Sequence, residues 1–272
     1  MSQTIRDVLC RLIAALPEQN IAVGGSGGMD SSSLVLSAID AGKDVTVVSF
    51  TLDDRESSDF QAARRLADKF GLPFLPILLP TDDDVINSQV AWIIKSFKTS
   101  RKTTVECLFP FVSAFPKIAD AGLHRLLVGH CADVHFGLSK KAMIHYSHTP
   151  ALFRQYRREQ MARPDQSQQV SLPTMGRAFG VEVSMPYATS DVFDLWIGLT
   201  WEEMNKPRQK EVVRREFPEL VPLKVTQHRN FQVGDSGIAS TVGEAVRLRY
   251  APNAKAAVSA YNHLLRQTEE TP

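Results

Sequence analysis

Residues 20–36 read NIAVGGSGGMDSSSLVL, four glycines and a run of serines enclosed by two apolar segments. The segment before the loop has the character of a strand, and the segment after it that of a helix. Glycines let the backbone approach a ligand closely and reach positive φ. The free amides and the dipole of a helix start then favour an anion, for which a phosphate is the obvious candidate. The loop lacks the Gly-Lys-Ser/Thr ending of a Walker A sequence, and Asp30 stands where a dinucleotide-binding loop has its last glycine. A bare phosphate would repel Asp30, whereas Mg²⁺ between them turns the same carboxylate into a ligand.

The rest of the first half repeats this alternation. Strands are expected at residues 20–25, 44–50, 72–79 and 123–130. Helices are expected between them, at residues 31–42 closed by Gly42, at 57–71 opened by a serine cap and closed by Gly71, and at 83–97 and 111–122. Such alternation implies right-handed crossovers and an α/β fold, a parallel sheet with helices on both faces. Ligands of such sheets bind at the carboxyl ends of the strands, where the Gly-Ser loop lies. Ahead of the first strand, Ile5, Val8, Leu9, Leu12, Ile13 and Leu16 recur at helical spacing and predict an amphipathic surface helix.

Composition removes other classes. Lysine and arginine total 31 against 30 acids, with neither sign gathered in one half, so the basic stripe of a duplex-binding protein is missing. Cys10, Cys107 and Cys131 are too scattered for a disulfide framework or a paired-cysteine metal site. No apolar window approaches a membrane span, and a cytoplasmic protein is expected. The length predicts a main domain over residues 1–145 and an appended part over 146–272, since single cores seldom grow past about 250 residues. In the second part the β-branched runs give way to helical patterns at residues 150–162, 191–204, 208–217 and 256–267. These helices are expected to close over the carboxyl ends of the sheet, with residues 225–237 as a loop at the rim.

SGGMDSS, residues 26–32, matches S-G-G-x-D-S, and the chain resembles the PP-loop ATP pyrophosphatases, which split ATP between its α and β phosphates. Three further segments resemble the synthetase domain of asparagine synthetase: residues 47–74, VVSFTLDDRESSDFQAARRLADKFGLPF; residues 126–137, LLVGHCADVHFG; and residues 185–222, opening MPYATSDVF. β-Lactam synthetase belongs to the same group. The resemblance implies that Ser26, Gly27, Gly28, Ser31 and Ser32 hold pyrophosphate, and that Asp30 and Asp133 hold Mg²⁺. It places Leu52 beside the adenine and Gly129 in the second nucleotide-binding motif. It makes Lys210, followed four residues on by Arg214, the cation that neutralises phosphate charge. Glu106 is the nearest counterpart of a family glutamate linked to the acceptor or to proton transfer.

The implied activity is an AMP-forming, ATP-dependent ligase that adenylates a small carboxylate and passes it to ammonia or an amine. The alternative is a nucleic-acid-modifying enzyme of the lysidine synthetase kind, adenylating a base oxygen. The resemblance does not extend to a glutaminase domain, whose nucleophile is a mature N-terminal cysteine, because Cys10 falls inside a helix pattern. Nitrogen is therefore expected as free ammonia, from a separate glutaminase partner, or as an amine substrate, and a homo-oligomer is compatible with the chain. His130 and Val134 replace acidic residues of the family motif beside the expected acceptor site, which argues against asparagine as the product. His130, Cys131, Asp133 and His135 could ligate Zn²⁺ by residue type, but four ligands in six residues of one turn do not easily converge. The acids of residues 81–84 read as a helix cap, and the arginines of residues 151–163 as the wet face of a helix.

Overall fold

β1 (Asn20–Gly24) carries Ile21 and Val23, β2 (Asp44–Leu52) carries Val45, Val47 and Val48, and β3 (Phe74–Leu79), β4 (Arg125–Leu127) and β5 (Glu182–Ser184) complete the sheet. The structure, a computed structural model, describes residues 3–52, 55–163, 165, 168–223 and 235–269. The strand order is β3-β2-β1-β4-β5, and every pairing is parallel. Within β1, Ile21 and Val23 enter one core and Ala22 the other, the alternation required of a strand covered on both faces.

The helices run in chain order as α1 (Ile5–Ala14), α2 (Met29–Asp40), α3 (Ser58–Lys69), α4 (Asp83–Phe97) and α5 (Lys102–Asp120). After β4 come α6 (Ala132–Phe136), α7 (Lys140–His145), α8 (Pro150–Met161) and α9 (Ser171–Ala178). After β5 come α10 (Ser190–Trp196), α11 (Trp201–Asn205), α12 (Glu211–Arg214), α13 (Ile238–Tyr250) and α14 (Val258–Glu269). Caps fix several starts: Thr4 and Asp7 form a capping box on α1, Ser57 accepts from Phe60, and Asp82 accepts from Val85. The core containing Ile21 and Val23 is built by α1, α2, α3, α6, α7, α8, α10, α11 and α12, and the opposite one by α4, α5, α9, α13 and α14. No helix among the described residues is long and apolar enough to cross a membrane.

Several elements differ from expectation. The pattern predicts a helix only from residue 111, yet α5 starts at Lys102 and carries Pro110 and Pro116 inside it. Each internal proline costs roughly 3 kcal/mol. Val105, Leu108, Phe109, Phe115 and Ile118 are fully buried along the same helix, at about 1.5–3 kcal/mol each, so packing outweighs the breakers. The second part is not purely helical, since Glu182–Ser184 adds β5 beside β4, a strand too short to leave a period-two pattern. The helix expected over residues 191–204 is two, separated around Gly198 and restarted by a Thr200–Glu203 capping box. The one over 208–217 shrinks to α12. The expected rim loop lies outside the described residues except for Asp235–Gly237.

The chain leaves β1 toward β2 and β3 on one side of the sheet and then returns to β4 on the other. The loops after β1 and β4 therefore face each other across a crevice, the switch point at which open α/β sheets bind ligands.

Candidate active site

The loop after β1 is locked by its own residues. Gly25 N–H donates to the Val48 carbonyl at 2.7 Å. Ser26 N–H donates to Ser31 Oγ at 3.1 Å, and Ser31 Oγ donates to the Gly28 carbonyl at 3.1 Å. Gly27 has φ +63°, and a Cβ there would stand 2.2 Å from that of Ala62, so only glycine lets the loop pass α3. Gly28 is the N-cap of α2 and offers no side-chain acceptor to the first-turn amides, which suits an anion at that end. From behind, Ser33 Oγ and Tyr187 Oη lie 2.6 Å apart and tie α2 to the turn after β5.

Opposite this loop, Gly129 follows β4, and α6 begins just beyond it with Asp133 in its first turn. Lys210 enters from the N-terminus of α12. Its ammonium is paired with Asp30 and lies 2.8 Å from Asp133 Oδ1, bridging the two loops, and it sits 5.3 Å from the centre of the Phe136 ring. Asp30 and Lys210 are nearly buried, whereas the Asp133 side chain is 48% exposed. Burial disfavours the Lys210 charge, but the two carboxylates outweigh it and hold the ammonium protonated. One ammonium does not neutralise two carboxylates: burial, with repulsion from Asp133, keeps the Asp30 carboxyl above its usual range despite Lys210.

That imbalance favours a cation beside the two carboxylates. Among the described residues, Asp30 Oδ1 is buried with no hydrogen-bond partner. Two carboxylates suit Mg²⁺, which completes its shell with waters and phosphate oxygens. Among the described residues no three His, Cys, Asp or Glu side chains gather as a metal cluster. His135 Nε2 donates to the Tyr187 carbonyl at 2.8 Å, and His130 packs against the Phe111 ring. Burial pushes the His130 imidazole down to about 4, so it is neutral at pH 7.

Ser26, Gly28, Asp30, Ser31, Gly129, Asp133 and Lys210 all line one cleft of about 960 Å³ at the carboxyl ends of β1, β2 and β4. Four other expected residues lie beside it. Gly27 turns toward Ala62, and Ser32 is buried in α2. Leu52 is 2% exposed within the core under α5 and α13. Glu106 also points away from the cleft, although its neighbours Thr103 and Cys107 line it. It is buried near Tyr261, whose hydroxyl donates to Oε1 at 3.5 Å, and Lys102 lies 3.8 Å away. Burial raises its carboxyl. Sequence reading also missed Ser49, Ser57, Arg101 and Ile238 as wall residues, because they belong to four separate elements with no shared spacing.

A family model described as asparagine synthase matches residues 22–173, over half of the chain. No curated protein matches it significantly. Among solved structures it is similar to an NMN synthetase from Francisella tularensis, at 9% identity and a TM-score of 0.36, covering 84% of this chain and 99% of that one.

Proposed function

The chain belongs to the asparagine synthase family, and from that premise we propose that it is an ATP-dependent ligase that adenylates a small carboxylate, releases pyrophosphate and transfers the acyl group to ammonia or an amine. The observation that carries this reading is the meeting of Asp30, Asp133 and Lys210 in one cleft with the anion-ready start of α2. A carboxylate oxygen attacks the α-phosphorus, the bond to the bridging oxygen breaks and pyrophosphate leaves. Ammonia or the amine then attacks the acyl carbon, AMP departs with its oxygen, and a proton is released.

In this proposal Ser26 and Ser31 hydroxyls, with the amides near Gly28, hold the pyrophosphate, and Lys210 moves its charge onto the phosphates as negative charge grows there. Asp30 and Asp133 hold Mg²⁺, which supplies charge neutralisation on the phosphate oxygens. Gly27 and Ser32 act by shaping the loop, and Glu106 has no place in the chemistry. The neutral His130 and the Arg101 guanidinium, which also line the cleft, are the acceptor's neighbours. Nitrogen comes as free ammonia, from a separate glutaminase, or as the amine of a second substrate.

The test is to supply α-labelled ATP, Mg²⁺ and ammonium with separate small-molecule and RNA fractions of a cell extract, using Asp30→Ala as control. AMP that forms only with the small-molecule fraction, and not with the control, supports the ligase. AMP that forms only with RNA replaces it with a base-modifying enzyme.

A further inference from the structure

Lys210 reaches the cleft from a backbone conformation that it does not favour. Its φ is +61° and its ψ 30°, in the left-handed region where a side chain bearing Cβ is strained. Something must hold it there, and the neighbouring polar contacts identify the holder. Asn205, the last residue of α11, is 3% exposed and uses its whole side-chain amide. Its Oδ1 accepts from Lys210 N–H at 3.2 Å, while Nδ2 donates to the Phe136 and Trp201 carbonyls, both at 3.0 Å. The reverse orientation would set the oxygen against two carbonyls and the amino group against an N–H, so the direction of the amide is fixed.

These bonds join the parts that form the ion bridge. Phe136 belongs to α6, one turn after Asp133, and its ring lies beneath the Lys210 ammonium. One buried amide thus fixes the backbone of the residue that carries the ammonium and of the helix that carries one of its carboxylates. We propose that Asn205 is the positioning residue for Lys210, setting its ammonium between Asp30 and Asp133. As regards turnover, this rests on the ligase reading above; as regards placement, it does not.

Lysine accessibility and turnover test the two parts separately. The full chain is reductively methylated with formaldehyde and cyanoborohydride, and Lys210 is compared by mass spectrometry with the exposed Lys117. In Asn205→Ala, labelling of Lys210 relative to Lys117 rises roughly ten-fold, the weight of one lost buried hydrogen bond. Asn205→Ser keeps the test open if the alanine variant fails to fold, and circular dichroism monitors both. Where the unaltered protein turns over ATP, kcat falls on the order of 100-fold in Asn205→Ala. The double variant with Lys210→Met is then no slower than Lys210→Met alone, a non-additivity that a merely structural asparagine would not produce. Unchanged Lys210 labelling in a folded variant, or fully additive rate losses, overturns the proposal. Increased labelling in a protein that turns over no ATP confirms the placement and refutes the ligase reading.

Discussion

Gly129 faces Asp30 so closely that a methyl group on it would stand 3.2 Å from the Asp30 Cβ. The loops after β1 and β4 are thus packed backbone to side chain, and the Asp30 carboxylate has little room to yield. Gly129→Ala is expected to move that carboxylate by a few tenths of an ångström. The variant stays folded, but ATP turnover drops about ten-fold, since small displacements at a reacting centre are costly. Turnover at saturating ATP, beside a thermal melt, checks it; an unchanged rate would show that the crevice is looser than described.

Gly27→Ala acts on the fold. The added methyl group collides with Ala62, and φ +63° is strained for alanine. Overpacking of this kind costs about 1–3 kcal/mol, with roughly 1–2 kcal/mol more for the backbone. Urea unfolding should show a lower midpoint with an unchanged slope. Gly42→Ala provides the contrast, because φ is positive there too but, among the described residues, nothing lies within 4 Å of the added Cβ. It should lose only the backbone share.

Replacing Lys210 separates its two roles. In Lys210→Met, turnover should fall on the order of 100- to 1000-fold, as expected when a charge that stabilises the transition state is removed. The same variant should bind Mn²⁺ more tightly without nucleotide, since the ammonium no longer occupies the space between Asp30 and Asp133. Electron paramagnetic resonance of free Mn²⁺ reads that affinity. Weaker binding in the variant would contradict the placement of the metal.

The acid limb of stability should depend on Glu18. Its carboxylate accepts from Arg125 Nε at 3.0 Å and from Nη2 at 2.8 Å, pinning the start of β4 to the turn before β1. The hydrogen bonds from Arg125, opposed by slight burial, hold the carboxyl below its usual range. A depressed folded pKa means that the pair's stabilisation is complete above the unfolded value of about 4.3 and lost as pH falls through the folded one. Glu18→Gln should therefore lower stability at pH 7 and flatten its fall below about pH 5. Thermal melts from pH 7 to pH 3 test this; parallel curves for the two proteins would remove the pair from the account.

The parts of this molecule that could be read from its sequence are those in which chemistry and local pattern coincide. The Gly-Ser loop, the first three strands and the helices between them announce themselves through glycines, β-branched runs and caps. Asp133 and Lys210 carry no such local signal; only resemblance to a family singled them out, and the fold then brought both to Asp30. Glu106 failed for the opposite reason. It was the nearest acid in sequence, but the turn of α5 points it at Tyr261 while Cys107 and Thr103 face the cleft. Leu52 ends β2 with its side chain in the core. Asn205 was illegible altogether, since an asparagine at the end of a short helix acquires meaning only when Phe136 and Lys210 arrive from other elements.

The step most in need of a test is the proposed cleavage of ATP between its α and β phosphates to form an adenylate. The most direct measurement is exchange of labelled pyrophosphate into ATP, with Mg²⁺ and an ammonium-free small-molecule pool, by the unaltered protein and by Lys210→Met. Exchange should require the pool and be lost in the variant. Exchange of labelled phosphate instead, with accumulation of ADP, would contradict it.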